Sequence, residues 1–512
     1  MKKLSLICLS FASTMALAQS TEDAVKYASL ITQQGLKDKL TIVASADMEG
    51  RETASPGQKK AAAYIEDHFR KLGLKPGNGT SYQQLYPLYQ DVLTEKKISV
   101  NGRTFVWDQD FSFSLRTIAN GSWTFNNMVF AGYGTIDSAK NINDYAGLDV
   151  KGKLVIVLDG GPSPAPAGGG ERRGFGPGAA KIDAALKNGA VGLLIVSQDF
   201  PHKNSTAIKG PMSLQPSATS TSTFLTADIS DDVASALLGR TSKIAFAQLK
   251  DINKGNYSAE LKITAVKTTE TLESSNVIAV LPGTDKKEEY VFLTGHYDHL
   301  GKNGNTIWYG ADDDGSGTVS VMQMAEAFTA AAKKGKGPRR TVVFMTVSGE
   351  EKGLLGSAYY SEHPTYPLDK TSADLNTDMV GRVDTERKLA DTLNYVYVIG
   401  HDKLSSELVG INEGVNNKYT KLTLDYKYDD PNDRNMIYYR SDHFNFAKKG
   451  VPILFFYDGM LLADYHQPTD TVDKINFALM EKRVQMIFYT GWEIANRDNM
   501  LKRDTPLNMP AR

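Results

Sequence analysis

Residues 290–299 read Tyr-Val-Phe-Leu-Thr-Gly-His-Tyr-Asp-His. Five residues dominated by β-branched and aromatic side chains run without a break into a cluster of groups that ionise or bind metals. An apolar run of this length with no polar alternation suits a strand buried on both faces. Such a strand implies a sheet covered by helices on both sides. Four further runs share the texture, at 277–281, 341–347, 395–399 and 453–457. The stretches 317–334 and 477–497 read as helices. The expected fold class is therefore α/β, a mostly parallel or mixed sheet sandwiched by helices. In sheets of this kind ligands bind beyond the carboxyl ends of the strands.

Titratable residues gather where those ends fall. The run at 290–294 leads into His296, Asp298 and His299. The run at 341–347 leads into Ser348, Gly349, Glu350 and Glu351. The run at 453–457 is followed within ten residues by Tyr465 and His466. Three more clusters join them: Asp312, Asp313 and Asp314 just before a helix, Asp378 after a short segment, and Ser441-Asp442-His443 before the last core strand. Each has a plain structural explanation when taken alone. The three aspartates suit a helix N-terminus, where carboxylates are favoured. Together, so many carboxylates repel one another unless a cation lies among them. Imidazole and carboxylate donors suit zinc, and two ions sharing a bridging carboxylate need about five or six protein ligands.

Other parts of the chain narrow the classes. Lys2 and Lys3 precede an apolar stretch, and Ala16-Leu17-Ala18 fits a small-x-small cleavage site, so residues 1–18 read as a secretory leader. A secreted or periplasmic protein, free of the membrane after cleavage, is the expectation. The single cysteine, Cys8, lies inside that leader. Neither disulfides nor a thiolate nucleophile then contribute to the mature chain. The formal net charge is −1, which argues against a nucleic-acid partner. Helices are expected at 22–46 and from Gly57 to Leu72, where Gly73 and Pro76 close the second. Between about 105 and 266 the texture changes to strand, Gly/Pro-rich loop (160–178), helix (179–187) and strand (191–196). This reads as a small α/β insert with its own core. The Gly/Pro loop lacks the Lys-Ser/Thr pair of a phosphate-binding loop.

The phrases GHYDHLG at 295–301, GADDDGSG at 310–317, SGEEKGLLGS at 348–357, NTDMVGR at 376–382 and ADYHQPTDT at 463–471 occur in one order across 275–475. Together they resemble the di-zinc exopeptidase family that includes bacterial leucyl aminopeptidases, aminopeptidase Y and glutamate carboxypeptidase. The segment GRETASPG with the helix after it resembles that family's N-terminal part. Residues 120–260 resemble, more loosely, a protease-associated domain.

The resemblance implies the zinc exopeptidase fold, arranged as a leader at 1–18, peptidase segments at 19–110 and 269–512, and an insert at 111–268. It implies two zinc ions held by His296, Asp313, Glu351, Asp378 and His466, with Asp313 bridging. It also implies Asp298 orienting His296, Glu350 as general base and Tyr465 as a donor to the oxyanion. Asp312 and Asp314 are then helix-start or supporting residues. Ser348-Gly349 departs from the bulkier residues the family often carries there. His299 has no role by resemblance. Consecutive residues cannot readily converge as a serine triad, so Asp442 and His443 read as supporting or pocket residues.

The implied activity is hydrolysis of terminal peptide bonds on peptide substrates, as an aminopeptidase. The alternatives are a carboxypeptidase or dipeptidase, a glutaminyl cyclase, or an inactive receptor-like binding protein. Arg382, Arg434 and Arg440 lie near the motifs and leave open which terminus is attacked.

Overall fold

The computed structural model describes residues 21–115, 118, 120–161, 177–216 and 224–510. The leader read at 1–18 and most of the Gly/Pro loop lie outside the described residues. The chain divides into two compact units, Met1–Pro87 with Glu273–Arg512, and Leu88–Leu272. The strand Gln83–Val100 carries the chain out of the first unit, and the strand Gly255–Leu281 carries it back.

In the first unit the strands are β1 (Gly255–Leu281), β2 (Lys286–His296), β3 (Arg340–Val347), β4 (Thr371–Thr377), β5 (Tyr395–Ile399), β6 (Thr423–Asp425) and β7 (Ile453–Tyr457). They lie in the order β6-β5-β7-β4-β2-β3-β1. The middle four, β7, β4, β2 and β3, are mutually parallel. β1 and β5 flank them in antiparallel pairings. The sheet is thus mixed, with a parallel centre, and the carboxyl ends of all four central strands emerge at one edge.

Both faces of this sheet are buried, which is why the strands carry no polar alternation. On one face Val291, Leu293, Val342, Phe344 and Leu375 pack against helices α1 (Gln33–Val43), α2 (Pro56–Leu72), α3 (Gly317–Lys333) and α7 (Phe477–Asn496). On the other, Phe292, Val343, Met345, Phe455 and Tyr457 meet Tyr360 of α4 (Leu355–Glu362) and Phe446 of α6 (His443–Lys448). A short α5 (Leu408–Val415) packs beside α7. Successive residues of β2 and β3 alternate between the two cores, as strand geometry requires. Phe344 is fully buried, and truncating such a side chain to Ala costs roughly 3–5 kcal/mol.

The helical reading of 22–46 is broken in the structure. A short helix at 21–28 ends, and α1 begins afresh after Thr32, whose hydroxyl accepts the N–H of Gly35 at 3.1 Å. This N-cap satisfies one of the orphan donors of α1, so the chain turns there and does not continue as one rod. α2 follows its sequence signals closely: Ser55 caps it, Pro56 opens it, and Gly73 closes it at φ 82°.

The second unit contributes further strands to the sheet. Strands Gly121–Phe130, Leu154–Leu158, Gly192–Val196 and Leu225–Ile229 run parallel, with Phe111–Ser112 antiparallel at the edge. Helix Pro177–Lys187 places Ala184 and Ala185 against Val155, Val157 and Leu193. A separate core, which includes Ile156, Leu194, Leu225, Val233 and Leu237, lies on the other side of these strands.

Candidate metal centre

Four central strands deliver the side chains. β2 ends on His296, β3 runs into Ser348–Glu351, β4 precedes Asp378, and Tyr465-His466 follow β7. Asp313 comes from the turn that starts α3. His296 Nε2 lies 3.3 Å from Asp313 Oδ1 and 3.6 Å from Asp378 Oδ1. His466 Nε2 lies 3.2 Å from Asp313 Oδ2 and 3.2 Å from Glu351 Oε2. The five residues read from the sequence as ligands therefore converge as two groups sharing Asp313, one oxygen toward each. Glu350 Oε2 stands 3.9 Å from His296 Nε2.

Supporting contacts fix the loop that carries Asp313. The Asp314 carboxylate accepts the N–H of His296 at 3.0 Å, of Gly317 at 2.8 Å and of Met379 at 3.0 Å. It thereby ties β2, α3 and the segment after β4 together. Asp470 accepts the N–H groups of Asp312 and Asp313 at 3.0 and 3.1 Å. Asp312 Oδ1 accepts from Gly381 at 2.8 Å. Gly317 has to be glycine, since a Cβ there would lie 2.1 Å from the Thr377 carbonyl. Asp378 Oδ2 accepts from Ser441 at 2.6 Å, leaving Oδ1 toward His296.

Asp298 acts on His296 mainly through its backbone. Its carbonyl lies 3.1 Å from His296 Nδ1, while its carboxylate stands at 3.7 Å. A carbonyl only accepts, so Nδ1 carries the hydrogen and Nε2 faces the carboxylates. The Asp298 carboxylate instead accepts from Thr53 at 2.6 Å and from the Glu350 N–H at 3.3 Å.

Ser348 and Gly349 are small because Tyr86 fills the space beside them. Tyr86 Oη donates to the Ser348 carbonyl at 2.9 Å and would lie 3.0 Å from a Cβ at Gly349. Ser441, Asp442 and His443 do not form a triad. Ser441 donates to Asp378, Asp442 pairs with Ser357, and His443 Nε2 meets the Tyr438 carbonyl at 2.8 Å. Burial holds the His443 pKa down to about 3, so the ring is neutral.

The electrostatics show opposite charges held close together. Burial disfavours a charged His296, but Asp378 and Glu350 raise its pKa well above the ordinary value. Burial likewise opposes ionisation of Asp313, yet His296 and His466 pull its pKa well below the carboxylate range. Glu351 is held at about 2 against burial and the charge of Asp313, by His299 and His466. Glu350 goes the other way, raised well above its usual value by burial and by Glu351 and Asp378, with His296 opposing. A glutamate whose pKa is raised in this way is suited to taking and returning a proton.

The donors fit cations. Among the described buried polar atoms, His296 Nε2 and Asp313 Oδ2 have no hydrogen-bond partner. Buried polar groups are otherwise nearly always satisfied. Donors at zinc distances around a tetrahedron are separated by about 3.3 Å, close to the 3.2 and 3.3 Å found between imidazole and carboxylate atoms here.

His299, which the sequence reading set aside, belongs to this centre. Its Nδ1 lies 2.8 Å from Glu351 Oε1. The signal for it was only its place two residues after Tyr297 in the same cluster. Arg440, at the opposite side, donates to Tyr465 Oη at 2.8 Å. Met379, Ile437, Phe455 and Tyr457 line a small cavity together with Glu350, Arg440 and Tyr465. Arg382 is engaged by Asp464 at 2.9 Å, and Arg434 is exposed.

Fold and site define an α/β chain with a buried cluster of imidazoles and carboxylates, of a kind that could hold metal ions, at the carboxyl edge of its sheet. Residues 276–490 match the model of peptidase family M28. A probable leucine aminopeptidase of Trichophyton verrucosum is 30% identical over 227 residues, 43% of this chain and 57% of the relative. The chain thus spans little more than half the length of the curated relatives it matches. Among solved structures, an aminopeptidase from Aneurinibacillus sp. strain AM-1 aligns over 96% of this chain and all of its own, with a TM-score of 0.54 and 20% identity. A zinc aminopeptidase from Bacillus subtilis aligns over 93% of this chain and 99% of its own, with a TM-score of 0.51 and 20% identity. These two establish the shared fold.

Proposed function

We propose that the protein is an exported, zinc-dependent aminopeptidase. The observation that carries this reading is the pair of imidazoles, His296 and His466, set against the two oxygens of one aspartate, with Glu350 beside them. The match of 276–490 to family M28 and the leucine aminopeptidase relative support the peptidase class. The residues that would hold two zinc ions are His296, Asp313 and Asp378 for one, and Asp313, Glu351 and His466 for the other. Bound there, the ions would supply Lewis acidity toward a peptide carbonyl and toward water.

The chain's own residues do the rest. Glu350 accepts the proton of the attacking water and returns it to the departing amine. Tyr465 donates its phenolic hydrogen to the oxygen that gains charge. Its pKa is raised by burial and by Asp313, so it keeps that hydrogen at neutral pH. Asp298 and Asp314 hold His296 in place through its ring and its backbone N–H.

Attack at the amino terminus is the direction that the leucine aminopeptidase relative supports. The leader read at 1–18 supports export. Among the described residues no helix is long and apolar enough to cross a membrane. The second unit, with its own apolar cores, is read as a protease-associated-like insert.

The test is a panel of free and N-blocked peptides with and without chelator. Shortening from the amino terminus only, abolished by chelator and restored by zinc, is expected. Cleavage of N-blocked peptides from the other end would replace this reading by a carboxypeptidase, and absence of zinc uptake by a binding protein.

A further inference from the structure

We infer that His299 is a positioning residue for the second cation site, holding the outer oxygen of Glu351 so that the inner oxygen faces Asp313 and His466. The inference rests on the two-cation reading above and assigns a role that the motifs leave blank.

The Glu351 carboxylate is split between two neighbours. Oε2 lies 3.2 Å from His466 Nε2, and Oε1 lies 2.8 Å from His299 Nδ1. His299 Nδ1 stays 4.0 Å from the nearer oxygen of Asp313, so its close contact is with Glu351 alone. Two acceptors 2.8 Å apart would repel, so Nδ1 bears the hydrogen on the side of Glu351 Oε1. The N–H does not point straight at Oε1; such contacts straighten when a catalytic site is filled. A carboxylate held by one oxygen presents the other as a single, directed donor. That is the usual part of an outer residue at a metal site.

The histidine is itself fixed. It is fully buried. Its N–H donates to the Arg51 carbonyl at 3.2 Å, and it forms a β-bridge with Glu52. Its ring lies over Gly310, where a Cβ would come within 2.5 Å of His299 Cδ2. Gly310 also sits at φ 54°, so both its backbone and the ring above it require glycine.

The experiment measures zinc affinity for each of the two ions by chelator competition, in wild type, H299L and H299N. Asn offers an N–H near the place of Nδ1, whereas Leu offers none. The melting temperature of each metal-free variant checks folding, and cobalt substitution reports the ligand field. H299L is expected to weaken one ion by about 10–100-fold and leave the other unchanged, with H299N recovering most of the loss and keeping the wild-type cobalt bands. Equal affinities in H299L and wild type would overturn the inference. So would an H299N as weak as H299L at a wild-type melting temperature, because ring volume and not the N–H would then matter. Altered cobalt bands in H299N would also overturn it, by making the ring itself a ligand. Uptake of a single ion by wild type would overturn the two-cation reading and this inference with it, whereas the other outcomes touch His299 alone.

Discussion

Arg440 donates from Nη2 to the phenolic oxygen of Tyr465 at 2.8 Å, and this contact fixes what the tyrosine can do. A guanidinium has donors only. The phenolic hydrogen of Tyr465 therefore cannot be spent on Arg440. It is left for another acceptor in the cavity that both side chains share with Asp313 and Glu350. The guanidinium also draws electron density from the phenol and so makes it a stronger donor.

The first prediction follows from that geometry. Tyr465→Phe should lower kcat by about 100–1000-fold, the usual range for losing an oxyanion donor, with little change in KM. Arg440→Met should reproduce part of that loss. The double variant should be scarcely worse than Tyr465→Phe alone, because residues acting as a unit are not additive. Steady-state kinetics on a free dipeptide reads all three. Independent, multiplying effects would separate Arg440 from the tyrosine.

Glu350 is predicted to matter for turnover and not for metal. Its carboxylate lies 3.9 Å from His296 Nε2, farther than Asp313 or Asp378. Glu350→Gln should retain the zinc content of wild type while kcat falls by roughly 100–10,000-fold. Metal analysis beside single-turnover rates decides it. Near wild-type turnover in the metal-loaded variant would remove Glu350 from the proton-transfer role.

The sheet and the site were not equally legible. β2, β3, β5 and β7 announced themselves because strands buried on both faces become unbroken apolar runs. β4, Thr371–Thr377, did not, although it lies in the middle of the sheet. Its Asp374 and Asn376 are buried polar residues hydrogen-bonded to Thr294 of β2 and, for Asn376, to Ser441, a pairing across the fold that no local pattern contains. The ligands were legible through their motifs. His299 was not, since what it does depends on Glu351 arriving from another strand. The backbone route from Asp298 to His296 was equally hidden, because residue identity does not say whether a side chain or a carbonyl makes the contact.

Zinc uptake is predicted to release protons. In the metal-free protein burial disfavours charge on His466, but Asp313 and Glu351 raise its pKa to about 10. His296 is also raised well above the ordinary imidazole value. His466 is therefore charged at pH 8 and has to lose a proton to bind a metal. Calorimetry in buffers of different ionisation enthalpy should show at least one proton released per chain, and one fewer in His466→Gln. The stability consequence has a definite sign. A raised folded pKa stabilises fully below the unfolded value of 6.5 and is lost as pH rises through about 10. Metal-free protein should thus melt at lower temperature as pH climbs over that window, and zinc should flatten the trend. A pH-independent proton count near zero would mean that the imidazoles are neutral before the metal arrives.

Asp374 gives the sharpest stability prediction. Thr294 Oγ1 lies 2.8 Å from Asp374 Oδ1 and 2.9 Å from Asn376 Oδ1. One hydroxyl hydrogen cannot serve both acceptors fully. The contacts are consistent when Asp374 is protonated and donates to Thr294, which in turn donates to Asn376. Burial, partly offset by the Thr294 contact, raises the Asp374 pKa from 3.8 to about 8. Below pH 3.8 folded and unfolded states both hold the proton. Between 3.8 and about 8 only the folded state keeps it, so stability falls by about 1.4 kcal/mol per pH unit at most. Asp374→Asn keeps an N–H donor in the same place and does not titrate. The variant should match wild type near pH 4 and gain on it steadily toward pH 8, as read by denaturant midpoints along a pH series. A variant less stable than wild type across the whole series would show that Asp374 is an ionised acceptor in the folded protein.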